Sequence, residues 1–397
     1  MECTKAVAFF GFNLWEMGMD QFYEKDISGC GIVGFMNENG KVVPGDRIIT
    51  AMGTMHERGN GLGGGFAAYG IYPERADCYA FHMLFDHPES KTKTEAYFET
   101  ECTIEMDEPI PTRQNAFVSN PPILWRYFLK LKPESIQGGD EEDAIVRMVM
   151  EINARIEGAF VASSGKNMGV FKGVGFPEDI GEYYRLDEYQ AYIWTGHGRF
   201  PTNSQGWWGG AHPFSLLDWT VVHNGEISSY GINKRYLEHF GYQCTCYTDT
   251  EVLAYLFDLL IRKHQLPIEI AAKIVCAHFW DEIERMDEQQ REIYGTLRAV
   301  YASALVNGPF AVVIGHSHGI VGLSDRMKLR PLIAARDGET LYIASEDSAI
   351  REICPKPEKV WMPRAGEPVV GLLKSPQQQE TAASLQRLGL FQLQYSD

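Results

Sequence analysis

Long apolar runs are missing from this 397-residue chain. A bilayer span needs roughly 18 consecutive apolar residues, and the nearest approach, residues 6–15, is too short and contains Asn13. That stretch also lacks a basic segment before it and a small-residue cleavage site of the A-x-A type, so it does not read as a secretory signal. Dense Lys/Arg runs are missing too. The 36 Lys and Arg stand against 53 Asp and Glu, a net charge of −17, which excludes the basic face that a nucleic-acid binder needs. Eight cysteines, at 30 and seven scattered positions, include no C-x-x-C pair. They form no disulfide framework, and a cytoplasmic location is expected.

What remains is the composition of a folded, soluble protein, with 45% hydrophobic and 22% charged residues. The length is roughly two to three times that of a usual domain, yet no repeat and no long linker divides it. Residues 1–29 form a leader that is apolar first and acidic later. After Cys30, the run Gly31-Ile-Val-Gly-Phe-Met36 reads as a strand, closed by a hairpin turn at Asn37-Glu-Asn-Gly40. Residues 45–58 have helical spacing, and a glycine cluster at 59–65 precedes strand-like residues 66–72. That cluster has neither the G-x-x-x-x-G-K-[ST] nor the strand-first G-x-G-x-x-G context of a nucleotide loop. Residues 85–145 are mixed and charged, with a helical pattern over 141–156, and read as an insertion at about 85–155. Short apolar runs at 160–164, 169–171, 192–195 and 220–223 form one strand series, and 310–314, 320–323, 331–335 and 340–344 a second. Thr248-Asp-Thr-Glu251 predicts a capping box opening an amphipathic helix. Two strand series with helices between them predict a layered α+β protein, sheets packed together and helices outside.

Four polar segments border these strands: Gly29-Cys30-Gly31-Ile32-Val33-Gly34, Gly196-His-Gly-Arg-Phe-Pro-Thr-Asn203, Val222-His-Asn-Gly-Glu-Ile227 and Tyr247-Thr-Asp-Thr-Glu251. In this order they resemble the glutaminase domain of class II glutamine amidotransferases, and most of all its glutamate synthase branch, over roughly residues 30–370. The resemblance implies a four-layer αββα N-terminal-nucleophile hydrolase sandwich over 30–375, with a propeptide at 1–29 and a tail at 376–397. It makes Cys30 the nucleophile and Gly29–Cys30 the cleavage site. A thiol of pKa about 8.5 is weakly ionised at neutral pH, whereas a free α-amine of pKa about 7.7–8.0 can take its proton.

By the same resemblance Asn224 and Gly225 supply the oxyanion hole, although Asn-Gly alone is also the strongest short signal for a type I′ hairpin turn. Arg199 and Thr202 would hold the glutamine α-carboxylate. Pro201 stands where that branch usually has Ser. Asp249 would bind the α-ammonium, and it also suits the first turn of a helix. His212, in Ala-His-Pro, matches a position near the pocket. Arg58, in His56-Glu-Arg-Gly59, is either a substrate-binding residue or half of a structural ion pair. Cys244-x-Cys246 lacks the spacing common in zinc sites, so no metal is expected. His316-Ser-His318 reads as a hairpin turn, and Trp207-Trp208 as a loop over the pocket.

No ATP-pyrophosphatase, sugar-isomerase or phosphoribosyltransferase unit is recognisable. The resemblance therefore implies a glutaminase subunit of a split glutamate synthase, passing ammonia from L-glutamine to a catalytic subunit that carries FMN and iron–sulfur clusters. No cofactor is expected in this chain, nor nucleic-acid or membrane partners. The alternatives are an N-methylglutamate synthase-type subunit and a non-catalytic assembly subunit retaining the fold.

Overall fold

The computed structural model describes residues 29–136, 140–200 and 206–374. All of the leader but Gly29, together with Thr202 and the C-terminal tail, therefore lies outside the described residues. Short β-branched and aromatic runs separated by glycine turns form strands, and long-range pairing collects them into two large antiparallel sheets. The first has seven strands, in the order Lys359–Trp361, Ile333–Asp337, Thr340–Ala344, Gly31–Asn37, Ile193–Gly198, Gly64–Tyr69 and Met168–Gly173. The second has five, in the order Phe214–Leu216, Trp219–Gly225, Phe310–His316, Gly319–Ser324 and Val369–Leu372.

The sheets stack face to face. The strands Gly31–Asn37 and Ile193–Gly198 pack on Trp219–Gly225 and Phe310–His316. Val33, Val222, Ala311, Val313 and Ile320 share the buried core between them. The helices Asp46–Gly53, Pro177–Tyr183 and Asp347–Ile353 pack on the seven-stranded sheet, and Asp249–Phe257 packs on the five-stranded one. The order of layers is α, β, β, α, the sandwich that the sequence predicts.

Two local expectations are corrected, at a hairpin and at a helix cap. The turn after the first strand forms, Gly40 N–H donating to Asn37 O at 2.9 Å, but no hairpin follows. Both edges of Gly31–Asn37 are taken by distant partners, Ile193–Gly198 and Thr340–Ala344, because a strand buried on both faces belongs at the centre of a sheet. The mixed stretch around 85–145 is more regular than its composition suggests. Tyr79–Phe85, Cys102–Pro109, Ile123–Leu131 and Ala159–Ser163 make a four-stranded sheet, with Phe81, Phe98, Tyr127, Ile145 and Val149 in its core. At the helix Asp249–Phe257, Thr248 caps as expected, accepting from Thr250 N–H. Glu251 does not close the box: its carboxylate accepts instead from the N–H groups of Thr245 and Cys246, at 3.0 and 2.9 Å.

Close stacking of the sheets depends on Gly34, where an added Cβ would lie 2.8 Å from Val313 Cγ1 and 2.9 Å from Ile320 Cδ1. A Gly34→Val substitution should wedge the sheets apart and destabilise the chain by about 1–3 kcal/mol, seen as a lower urea midpoint. An unchanged midpoint would contradict this packing.

Candidate active site

Cys30 stands at the entry to the strand Gly31–Asn37, and its backbone is fixed on both sides. Arg58 Nε donates to Cys30 O at 3.1 Å while Arg58 Nη1 pairs with Glu346 Oε1 at 2.6 Å. Two residues on, Ile32 N–H donates to Ser345 Oγ at 3.2 Å, and Ser345 N–H returns to Ile32 O at 2.9 Å. The side chain receives a backbone donor as well, Phe200 N–H lying 3.4 Å from Sγ. Burial pushes the Cys30 thiol above its ordinary pKa, with the Asp249 charge adding to the rise, while Phe200 N–H, Arg199 and Arg330 oppose it. With residue 29 attached, the nitrogen of Cys30 is a peptide amide, which is no base.

Asn224 and Gly225 end the strand Trp219–Gly225, in register with Ala311 and Phe310. They are therefore not a hairpin turn. Asn224 is fully buried, its Nδ2 donating to Ser345 Oγ at 3.3 Å. Gly225 has φ +150°, and a Cβ there would lie 2.0 Å from Pro309 O. No other residue fits.

Asp249 opens its helix within the field of Cys30. Burial would raise its carboxyl, but His223, Ile227 N–H and the Thr250 hydroxyl outweigh that and hold it below the usual carboxylate range. Ile227 N–H donates to Oδ2 at 3.0 Å, and His223 Nδ1 lies 3.4 Å from Oδ1. Arg199 is 5% exposed, and its guanidinium acts on the same thiol. The structure thus brings Cys30, Arg199 and Asp249 into one electrostatic neighbourhood. Thr202 lies outside the described residues. His212 is buried, joined to Pro213 by a cis peptide bond, with Nδ1 2.9 Å from His197 Nε2. His197 Nε2 also meets the carbonyl of His223 at 2.9 Å. The carbonyl is only an acceptor, so His197 carries its proton on Nε2 and His212 Nδ1 accepts. Burial pushes His197 down to about 3 and His212 well below the ordinary range, which keeps both rings neutral. For Arg58, the ion pair is what the structure shows.

His223, Ser345, Glu346 and Lys172 are the residues that sequence reasoning missed. His223 sat inside a recognised segment, whereas nothing local marks Ser345 or Lys172. Lys172 Nζ is buried and donates to the carbonyls of Gly209 and Pro213 at 3.0 and 3.3 Å. It thereby fastens the loop that carries Trp207, Trp208 and His212. The larger described cavity, about 860 Å³, is not at Cys30. It lies between this loop and the four-stranded sheet, lined by Asp86, Asn120, Phe160, Trp207 and Trp208. Among the described residues no cluster of His, Cys, Asp or Glu is placed to hold a metal, and no helix is long and apolar enough to cross a membrane.

Residues 115–361 match the family of class II glutamine amidotransferases. The chain is 51% identical over 360 residues to an uncharacterized protein of Archaeoglobus fulgidus, covering 89% of this chain and 94% of that one. It is 27% identical to the amidophosphoribosyltransferase of Methanocaldococcus jannaschii over 49% of this chain and 36% of that enzyme. Among solved structures, the Bacillus subtilis glutamine phosphoribosylpyrophosphate amidotransferase aligns at 14% identity and a TM-score of 0.43, over 86% of this chain and 47% of that one. The chain thus spans about half the length of that solved enzyme. The protein belongs to the class II glutamine amidotransferases.

Lys172 gives this site a pH signature. Burial pulls its ammonium down to about 7, against about 10.4 in an unfolded chain. Between those values the unfolded chain binds the extra proton, so stability rises with pH, approaching about 1.4 kcal/mol per unit. Urea midpoints at pH 7 and pH 9.5 should rise more for the parent than for Lys172→Met. Equal slopes would contradict the assignment.

Proposed function

We propose that this chain is the glutaminase subunit of a split glutamate synthase, releasing ammonia from L-glutamine and passing it to a separate subunit that carries FMN and iron–sulfur clusters. The observation that supports the glutaminase reading most directly is the convergence on one thiol. Phe200 N–H reaches Sγ, while Arg199 and Asp249 act on it with opposite sign. A cation and an anion on either side of a nucleophile match the carboxylate and ammonium of a free α-amino acid. The acceptor assignment rests on the likeness of the four polar segments to the glutamate synthase branch.

In this reading, cleavage of the Gly29–Cys30 bond frees the amine. Gly29 lies against Arg58 Nη2 and Arg330 Nη1, at 3.3 and 3.8 Å from where its Cβ would be. The new amine therefore emerges beside guanidinium groups that disfavour its protonation and keep it a base. It takes the thiol proton as Sγ attacks the amide carbon of glutamine, and the oxyanion is held by the Asn224 amide and Gly225 N–H. The proton then goes to the leaving nitrogen, and ammonia departs to leave a thioester. Water hydrolyses the thioester to glutamate, restoring the thiol.

Intact mass and N-terminal sequencing should find a mature start at Cys30. Cys30→Ala should abolish both the cut and glutamine hydrolysis. Asn224→Ala should lower kcat by about 10² to 10³, and Asp249→Ala should chiefly raise KM. Wild-type glutamine turnover by Cys30→Ala would sink the mechanism. Ammonia-dependent but not glutamine-dependent glutamate formation by the partner subunit, with this chain present, would sink the assignment as its glutaminase.

A further inference from the structure

Asn224 has an arrangement that its surroundings do not satisfy. It is completely buried, and its Oδ1 has no hydrogen-bond partner among the described residues. A buried unpaired carbonyl oxygen is costly. On the other side of the amide, Nδ2 donates to Ser345 Oγ at 3.3 Å, and Ile32 N–H donates to the same oxygen at 3.2 Å. These two donors fill both lone pairs of Ser345 Oγ, and its own hydrogen meets no acceptor among the described residues.

Turning the carboxamide by 180° pairs both the Asn224 oxygen and the Ser345 hydrogen, and leaves only the amide N–H group without a partner. Ile32 N–H still donates to Ser345 Oγ, the Ser345 hydroxyl donates to Asn224 Oδ1, and Nδ2 takes the place of the orphaned oxygen. The oxygen and nitrogen of an amide are interchangeable in shape, and the hydrogen-bond network is what decides between them.

We propose that Ser345 is a positioning residue that locks the Asn224 amide in this turned orientation, leaving its N–H group as the unpaired donor of the oxyanion hole. The inference rests on the reading of Asn224 as an oxyanion donor and adds what aims it. Ser345 is 1% exposed and follows the strand Thr340–Ala344. Through Ile32 it also grips the strand that Cys30 begins. One hydroxyl therefore ties the nucleophile's strand to the oxyanion side chain on the facing sheet. An oxyanion donor that needs no reorientation in the transition state is where such a lock acts on rate.

The test is glutamine hydrolysis by the mature chain, with thermal unfolding measured alongside. Ser345→Ala should lower kcat roughly tenfold or more while KM stays within about twofold, the signature of an interaction made in the transition state. Ser345→Cys, nearly equal in size but a weak hydrogen-bonding group, should show the same kcat loss at parental unfolding temperature. Ser345→Thr, which keeps the hydroxyl, should recover most of it. In the Asn224→Ala background, Ser345→Ala should cost little more, because the amide it aims is gone. Full additivity of the two substitutions, or a Ser345→Cys variant with parental kcat, would overturn the proposal. If Asn224→Ala itself keeps parental kcat, the oxyanion reading fails and the lock fails with it. If only the Ser345 variants are silent, the oxyanion reading stands.

Discussion

The distance between the two large sheets is the constraint on which the site depends. Cys30 belongs to one sheet, Asn224 and Gly225 to the other, and no local sequence joins them. Their strands meet, Gly31–Asn37 packing against Trp219–Gly225 and Phe310–His316. That approach is possible only with a hydrogen in place of a side chain at Gly34. Glycine in a central strand costs conformational entropy and forgoes packing. Here the cost is offset by the core that closes over it, with Val33, Val222, Val313 and Ile320 buried completely. The same logic governs Gly225, whose backbone runs so close to Pro309 O that a side chain has no room. Both glycines serve the approach of one piece of backbone to another.

Within that frame the polar groups are positioned chiefly by backbone partners. Cys30 is held by Arg58 through its carbonyl and met by Phe200 through its thiol. Asp249 is held by Ile227 N–H and lies beside His223. These contacts explain how two buried residues of opposite charge, Arg199 and Asp249, coexist beside a neutral thiol. Asp249 keeps its charge through several donors, and Arg199 stays cationic because a guanidinium has little tendency to lose its proton even when burial works against it. The chain therefore holds a cation and an anion beside the Cys30 thiol, the pair on which the proposed glutamine binding rests.

The sheet order, the hairpin that does not form and the lock at Ser345 were illegible in the sequence for one reason: each is a long-range pairing. Ser345 lies 313 residues from Ile32 and 121 from Asn224, and no local pattern encodes such a contact. Most strands of the two large sheets were legible because burial on one or both faces leaves a periodic trace, whereas Tyr79–Phe85, Cys102–Pro109 and Ile123–Leu131 were not, and the polar segments were legible because they interrupt that trace. Asn224-Gly225 shows where local chemistry misleads. The dipeptide has strong turn propensity, yet tertiary packing extends it as the end of a strand in register with Ala311 and Phe310. Glu251 shows the reverse case. Its spacing fits a capping box, but its carboxylate instead pairs the N–H groups of Thr245 and Cys246, the latter buried, which would otherwise be unpaired.

In the function proposed above, the attached leader and the nucleophile pose one physical problem. While the Gly29–Cys30 bond is intact, burial keeps the thiol protonated and the adjacent nitrogen cannot accept its proton. Every other element reads as already in place: the donor on Sγ, the charge pair, the strand ends facing one another. In the proposed mechanism, breaking that bond turns the nitrogen of Cys30 into an amine, and the guanidiniums beside Gly29 bias it toward its neutral form. In that mechanism the switch is a local change of protonation at the nitrogen of Cys30, set within the strands that already hold the thiol and its charged neighbours.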